Sequence, residues 1–555
     1  MAETAAAADD DRLDAIIVGA GFAGLYMLHS LRQRGKRVRV FDMASDVGGT
    51  WYWNRYPGAR CDVVSVDYSF SFSDEVQQEW NWTEKYAAQP EILNYAKFVA
   101  DKLDLKRDIQ FDTRVDAMIY DDDTALWTVS TDQGEKLVTR ACIMATGCLS
   151  IPKDPDIPGL KAFQGPVYFT SRWPQEKVDF AGKTVGLIGT GSSGIQVAPK
   201  VAEEAERLLV FQRTPSFTLP ARNSPLPRDT LEQVKASYTQ RRAAARRHPA
   251  GHLRPLTQRT TFSYAEDERR GEFDGAWQRG GLDLFGVFGD LLVDEQANEE
   301  VARLIYEKID ETVDDPDTAA ALKPRRDPLG GRRVCLDTDY YKMFNRDNVD
   351  LIDVLTDPIE EAVEDGIRTR GNHYPLDALV LATGFDAMTG ALLAIDIRGR
   401  DGRALRDKWR DGPLSYLGIA IEGFPNLFTI TGPGSPSVLT NVIASIEQHV
   451  EWITDLIDYM DEHGLCTVEA DADAEAAWMR HVYEIAAHTL MIKANSWYIG
   501  SNVPGKPRIF MPFAGGLDVY RDTVAEIAND DYRGFHFTAG NGSAADRETA
   551  TPLRS

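Results

Sequence analysis

Two glycine-rich runs carry the most legible chemistry of the chain. The first, Gly19-Ala20-Gly21-Phe22-Ala23-Gly24, follows an apolar strand pattern at residues 14–18 (DAIIV) and leads into a helical pattern, LYMLHSLRQRG, closing at Gly35. A second strand pattern at residues 37–41 ends on Asp42. Strand, GxGxxG turn, helix, strand and an acid about 20 residues on are the parts of a dinucleotide-binding βαβ unit. The helix N-terminus offers free N–H groups and partial positive charge to a pyrophosphate. Asp42 stands where it can accept hydrogen bonds from a ribose diol. The arrangement returns at residues 183–188 (KTVGLI), Gly189-Thr190-Gly191-Ser192-Ser193-Gly194 and a strand at 208–212. There the strand runs into Arg213-Thr214-Pro215, with Arg213 where the acid would stand. A carboxylate repels a 2′-phosphate, whereas a guanidinium binds it through charge-assisted hydrogen bonds. The second site is therefore read as one for NADPH, and the first, in the N-terminal domain, as one for FAD.

The elements that must position these sites follow from two further segments. Residues 142–147 (CIMATG) and 379–384 (LVLATG) are apolar strands ending in ATG, and Gly147 and Gly384 mark crossings between domains. The expected fold is α/β, with two Rossmann-like dinucleotide-binding domains, the NADP domain nested within the FAD domain. Residues 1–148 and 385–537 are assigned to the FAD domain, and residues 149–220 and 332–384 to the NADP domain. Between 221 and 331 Arg, Ala and acids alternate with few β-branched runs, the pattern of a helical insertion whose charges face solvent. Residues 538–555 are polar and rich in Gly, Ala and Ser, the composition of a disordered tail.

Composition narrows the class. A chain of 555 residues exceeds one domain and has ample material for a core. Its 61 Lys+Arg against 86 Asp+Glu leave a net charge of −25, which repels phosphate backbones and anionic lipid. Nucleic-acid binding and membrane binding are thus not expected as the main task. Five scattered cysteines without a CxxC pair support neither a disulfide framework nor a zinc ribbon. His248 and His252 are four apart, but Pro249 and Gly251 lie between them and no third ligand is evident, so no metal is expected. The acidic start, MAETAAAADDDRLD, and the lack of a run of roughly 20 apolar residues point to the cytoplasm.

One segment is more specific. Gly48-Gly49-Thr50-Trp51-Tyr52-Trp53-Asn54-Arg55-Tyr56-Pro57-Gly58-Ala59-Arg60-Cys61-Asp62 resembles the long fingerprint of the type I Baeyer–Villiger monooxygenases. The second fingerprint of that family, FxGxxxHxxxWP, is met by Phe163, Gly165, Trp173 and Pro174, with Phe169 in place of the His. Gly330-Gly331-Arg332-Arg333-Val334-Cys335 resembles the segment that carries the active-site arginine, here Arg333. Ser496-Trp497, followed by Gly500, Asn502, Pro504, Gly505 and Lys506, resembles a loop that closes over NADP. The likeness spans residues 13 to 537 in the family's order.

The resemblance implies roles. Gly49, Thr50, Trp51 and Asp62 would join the FAD site; Arg213, Thr214 and Arg332 would clamp the 2′-phosphate; Trp497 would contact NADP. Arg333 and Asp62 would be catalytic, the guanidinium keeping a flavin peroxide deprotonated and stabilising the oxyanion formed on a ketone, which becomes an ester or lactone. Leu149, Ser435, Val438, Leu439 and Thr440 would line a small, apolar substrate pocket, with a ketone and O₂ as the reactants. The Phe169 departure puts coupling of NADPH oxidation to product in question. Two alternatives share the scaffold: oxygenation of S or N, and largely uncoupled NADPH oxidation. A flavin disulfide reductase is disfavoured by the missing cysteine pair. Oligomeric state is left open, a monomer being compatible with everything read here.

Overall fold

The computed structural model describes residues 12–539. Each glycine run sits at the end of a strand buried on both faces. In Leu13–Val18 the last four residues are buried, as a continuous apolar run in a central parallel strand requires. It pairs in parallel with Val38–Phe41 on one side and with Lys136–Met144 on the other, Ala15 lying opposite both Val38 and Ala141. The eight-stranded sheet runs Asp396–Arg398, Val115–Asp121, Leu126–Thr131, Lys136–Met144, Leu13–Val18, Val38–Phe41, Ile109–Gln110. Its eighth strand, Leu427–Thr429, lies beside the second half of Lys136–Met144, with Leu427 opposite Cys142. The chain thus leaves this sheet after Met144 and returns to it after residue 395.

In between it builds a five-stranded parallel sheet, in the order Val349–Asp353, Arg207–Gln212, Thr184–Ile188, Ala378–Leu381, Val167–Phe169. Ala378–Leu381, the strand that ends in the second ATG, is buried throughout. The helix Phe22–Gln33 lies on the first sheet and packs against Val442–Glu462, with Ser30 and Thr454 hydroxyls 3.2 Å apart. Asn441 caps that helix by accepting the Ile443 N–H at 3.2 Å.

Residues 221–331 contain the helices Arg228–Ala236, Tyr238–Arg246, Glu266–Arg279, Glu295–Thr312 and Pro316–Ala321. Glu295–Thr312 shows why charge density and helix coexist here. Val301, Leu304, Ile305 and Ile309 form its buried face, while Arg303 pairs with Glu300 and Glu307 on the half-exposed face.

The expected tail is corrected at its start. Phe535–Ala539 is a strand, antiparallel to Leu465–Ala470, so Thr538 and Ala539 are ordered. Alternation explains it: Phe535 and Phe537 face Trp452, Tyr459 and Tyr532, while the polar residues between them disguise the strand. Residues 540–555 lie outside the described residues. Among the described residues no helix is long and apolar enough to cross a membrane.

Candidate active site

The first cradle is set by steric necessity. Gly19 has φ +109°, and a Cβ there would lie 2.5 Å from the Ala145 carbonyl oxygen, inside the first ATG. A Cβ on Gly24 would fall 1.8 Å from the Gly19 oxygen. Gly21 faces Gly49 so closely that a Cβ on Gly49 would sit 2.9 Å from the Gly21 Cα. The long fingerprint therefore closes directly over the glycine turn. Asp42 is buried, its Oδ2 accepting the Ala20 N–H at 2.6 Å and its Oδ1 the Ala44 N–H at 2.8 Å. Burial pushes its carboxyl up, with the two N–H groups and Arg172 working the other way. Thr50 is exposed at the start of the short helix Thr50–Trp53, and Trp51 donates its Nε1–H to the Tyr68 hydroxyl at 3.1 Å. Glycines that exclude side chains, beside an anchored acid, fit the pyrophosphate and ribose of FAD.

The second cradle repeats the geometry. Gly189 has φ +108°, with its would-be Cβ 2.4 Å from the Ala382 oxygen of the second ATG, and that of Gly194 falls 2.0 Å from the Gly189 oxygen. Gly191 and Ser192 are exposed and Ser193 half-buried at the N-terminus of Ser192–Glu204. The Thr190 hydroxyl donates to the Thr214 carbonyl at 3.0 Å, and Ser216 Oγ to the Thr190 carbonyl at 2.9 Å. These bonds hold Arg213 and Thr214 beside the turn, with Arg213 exposed. Free helix N–H groups and a cation in reach fit a phosphorylated nicotinamide dinucleotide. Arg332 is otherwise engaged: its Nε lies 2.7 Å from Asp327 Oδ2, a charge contact without hydrogen-bond alignment. Lys153 was not anticipated; burial, and then the Arg213 charge, lower its affinity for a proton. It therefore shares the neighbourhood of Arg213.

Between the cradles lies an ion pair joining residues 271 apart in sequence. Arg333 donates from Nε to Asp62 Oδ2 at 2.9 Å, and from Nη2 to Oδ1 and Oδ2 at 2.8 and 2.7 Å. Its Nη1 donates to the Val438 carbonyl. Three segments thus meet on one guanidinium: the fingerprint, the stretch after the helical insertion and the 435–440 loop. Burial works against this charge, but the Asp62 carboxylate outweighs it and holds Arg333 protonated even beyond the ordinary arginine range. Tyr498, buried beside Arg333, is pushed up to about 12 by burial. Cys335, whose Sγ is 3.2 Å from Ser192 Oγ, is pushed up by burial to about 11 and stays a thiol.

The fingerprint is braced from the second cradle, because Tyr56 donates to Gln196 Oε1 at 2.7 Å and Gln196 Nε2 donates to the Arg60 carbonyl at 2.9 Å. On its other side Arg172 stacks 4.2 Å from the Trp53 ring centroid. Phe169, at the family's His position, ends the edge strand half-buried, opposite Leu381. Phe supplies bulk there without a hydrogen bond.

Segments read as lining a pocket converge. Leu149, Val438 and Trp497 pack with Cys148, Ala387, Met388 and Met511, and Leu439 joins Tyr498 and Phe510 beside Trp497. The loop bearing Trp497 is pinned down: Asn502 Nδ2 donates to the Phe385 carbonyl at 2.7 Å, and Lys506 pairs with Asp386 at 2.5 Å. Ser435 and Thr440 turn inward instead. Ser435 is fully buried, donating to the Gly432 carbonyl at 2.7 Å, and Thr440 donates to the Ser437 carbonyl at 3.2 Å. They shape the loop while Val438 and Leu439 line it.

Similarity to known proteins agrees with this geometry. A family model described as flavin-binding monooxygenase-like matches residues 13–242. Over 523 residues the chain is 42% identical to a Baeyer–Villiger monooxygenase from Pseudooceanicola batsensis, covering 94% of this chain and 95% of that one. The chain belongs to the Baeyer–Villiger monooxygenase family. It is 41% identical over 526 residues to the cyclohexanone 1,2-monooxygenase of an Acinetobacter species, covering 94% of this chain and 96% of the relative. A solved structure of an oxidized steroid monooxygenase bound to NADP matches with a TM-score of 0.92 at 48% identity, over 95% of this chain and 100% of that one. As a Baeyer–Villiger monooxygenase the chain is an NADPH-dependent flavoenzyme that uses FAD.

For this Baeyer–Villiger monooxygenase the residues missed by the sequence reading are Lys153, Tyr498, Met388 and Met511. Only tertiary packing places them at the site. Lys153, Met388 and Met511 sit in segments without a local pattern of their own, and Tyr498 stands beside Trp497 in a loop whose other residues carried the likeness.

Proposed function

We propose that this chain inserts one oxygen atom from O₂ beside the carbonyl of an apolar ketone, with Arg333 and Asp62 as its catalytic pair. The overall balance is ketone, O₂, NADPH and a proton giving ester or lactone, NADP⁺ and water. Bound FAD and NADPH would supply the reducing equivalents and the activation of O₂. The chain's own contribution is field and position. Arg333 cannot give up its proton, so it acts as a fixed positive charge and not as an acid. Asp62 engages two nitrogens along one edge of the guanidinium, Nε and Nη2, and sets its direction, while the Val438 carbonyl ties the third nitrogen to the substrate loop. Charge so arranged stabilises the negative charge that develops on the substrate carbonyl oxygen, and needs no reorganisation when it does. The apolar side chains of Leu149, Val438, Leu439, Met388 and Trp497 favour a hydrophobic ketone and keep water away.

The observation that carries this reading is the Arg333–Asp62 pair standing between two dinucleotide cradles and tied through the Val438 carbonyl to an apolar cluster that includes Leu149, Val438 and Trp497. Gly49, Thr50, Trp51 and Asp42 are proposed to serve FAD, and Arg213, Thr214, Lys153 and Trp497 to serve NADPH, with Arg332 in a lesser part because Asp327 holds it. The proposed location is the cytoplasm. The test is NADPH consumption by the yellow holoenzyme over a small panel of ketones and a thioether, with product and hydrogen peroxide assayed together. Ester or lactone equal to NADPH consumed is expected, and Arg333→Ala should lower product formation roughly 10²- to 10³-fold. Sulfoxide from the thioether with only peroxide from every ketone would overturn ketone oxygenation.

A further inference from the structure

A second arginine stands near the catalytic pair with nothing to hold it. Arg254 is half-buried, its Nε is fully enclosed without an acceptor, and among the described residues no hydrogen bond or ion pair involves its side chain. The surrounding carboxylates are already committed. Asp62 is taken by Arg333 through three hydrogen bonds. Asp67 is taken by Arg241, at 2.6 and 2.7 Å. Asp283 is taken by Arg279, at 3.2 Å. Asp283, the carboxylate that acts on Arg254 directly, is thus already paired, and Arg254 is left without a partner of its own. A guanidinium with a buried, unpartnered N–H loses solvation that nothing in the chain returns, so its retention asks for an anion that is not part of the chain.

Position indicates which anion. Burial draws Arg254 down to about 10; Asp283 resists this and the Arg333 charge adds to it, so the two guanidinium groups feel one another. The segment bearing Arg254 is stapled to the substrate loop. Asn441, directly after Thr440, donates its backbone N–H to the Ala250 carbonyl at 2.8 Å and its Nδ2 to the Gly251 carbonyl at 3.2 Å. His248 completes the brace: Nδ1 accepts the Ala250 N–H at 3.0 Å, so Nε2 carries the proton and donates to the Arg254 carbonyl at 3.2 Å. His252, buried and lowered to about 4 by burial and by Arg254, is neutral and adds no competing charge. Arg254 thus belongs to a segment fastened to the end of the 435–440 loop.

We propose that Arg254 binds a carboxylate on the ketone substrate, so that the preferred substrate is an apolar keto acid with its carbonyl at Arg333 and its carboxylate at Arg254. This rests on the ketone-oxygenase reading above and adds the substrate's charge to it. The test compares 4-oxocyclohexanecarboxylate with its methyl ester. Both kcat/KM and, in the NADP⁺-loaded holoenzyme, the Kd of cyclohexanecarboxylate against its methyl ester by flavin absorbance would be measured. Wild type should favour the acid by roughly 10- to 100-fold, the range of a charge-assisted hydrogen bond. Arg254→Met should bring the ratio to about one, and Arg254→Lys should keep part of it. The ratio within each variant cancels losses of fold or turnover. A ratio near one in wild type, or an undiminished ratio in Arg254→Met, would overturn the proposal. So would a rise in the NADPH KM of Arg254→Met with the acid preference intact, which would assign the anion to the cofactor. If neither compound yields a lactone, ketone oxygenation fails, while the binding ratio still decides whether Arg254 takes a carboxylate.

Discussion

The two dinucleotide cradles are nearly the same object built twice, and their differences separate two duties. Gly19 presses on Ala145 as Gly189 presses on Ala382, and Gly24 and Gly194 each leave no room before the preceding turn. Beyond that they part. Gly21 is covered by Gly49, whereas a Cβ on Gly191 would meet nothing within 4 Å. Asp42 is buried and fastened by two N–H groups, whereas Arg213 stands exposed. A cradle closed by a second loop suits a cofactor retained through turnover. An open one suits a cofactor that must enter and leave with each cycle.

The largest effect should come from the shared element. In Gly24→Ala the new methyl has no space, and the protein should purify without flavin and with reduced stability. Gly194→Ala should instead keep its flavin and lose NADPH binding. Absorbance near 450 nm relative to 280 nm and a nicotinamide titration read the two. Equal flavin content in both variants would break the distinction between the cradles. The milder pair Gly21→Ala and Gly191→Ala sharpens it: the first should lose flavin, because its methyl would press on Gly49, and the second should keep flavin and raise the NADPH KM, because its methyl would stand at the helix N-terminus where the phosphates approach. Next in size is Arg333→Ala, which removes the charge between the cradles. Product formation should fall roughly 10²- to 10³-fold, the effect of losing one electrostatic donor, with flavin content unchanged. Retention of full product yield would remove Arg333 from the mechanism.

The cradles were legible in the sequence because their demands are local. A glycine that must avoid a carbonyl five residues back leaves a spacing that any reader can find, and the ATG strand ends are the other half of the same contact. The Arg333–Asp62 pair was legible only through resemblance. No periodicity links residues 271 apart, and alone Arg333 reads as an exposed arginine and Asp62 as a helix N-cap. Ser435 and Thr440 show the opposite failure: small polar residues in a pocket loop are as often needed for the loop's own hydrogen bonds as for lining it. Arg254 and Lys153 were invisible for a deeper reason. Whether an arginine is free depends on which carboxylates other arginines have taken, and that sum is made only in three dimensions.

A moderate effect should separate the cradles by charge. Arg213→Ala should lower the NADPH-to-NADH preference by roughly 10- to 100-fold in kcat/KM, the scale of charge-assisted bonds to phosphate. Arg332→Ala should change it by less than about fivefold, because Asp327 already occupies that guanidinium. If Arg332 proves the larger, the exposed Arg213 is not the main reader of the phosphate.

The smallest effect concerns how the halves withstand acid. His449 is fully buried on Val442–Glu462, the helix packed on the FAD sheet's first helix; its Nδ1 accepts the Thr431 N–H at 3.1 Å, and its Nε2 lies 2.8 Å from the Tyr520 hydroxyl. Burial lowers it from 6.5 to about 3, so the folded protein holds it neutral while the unfolded chain protonates it. Between those values the unfolded state binds more protons, and stability is complete above pH 6.5 and lost as pH falls. At pH 5 the loss is about 2 kcal/mol from this group. The sheet that carries the NADP cradle has no buried histidine among the described residues, His373 being exposed. Acid should therefore loosen the FAD half first, and flavin fluorescence should rise on mild acidification before NADP⁺ binding is lost. In His449→Gln, which removes the titrating ring, the drop in Tm between pH 7.5 and pH 5 should shrink by roughly 2 °C. An unchanged slope would move the acid sensitivity to the other buried histidines, His248 and His252, which belong to the helical insertion and not to either cradle.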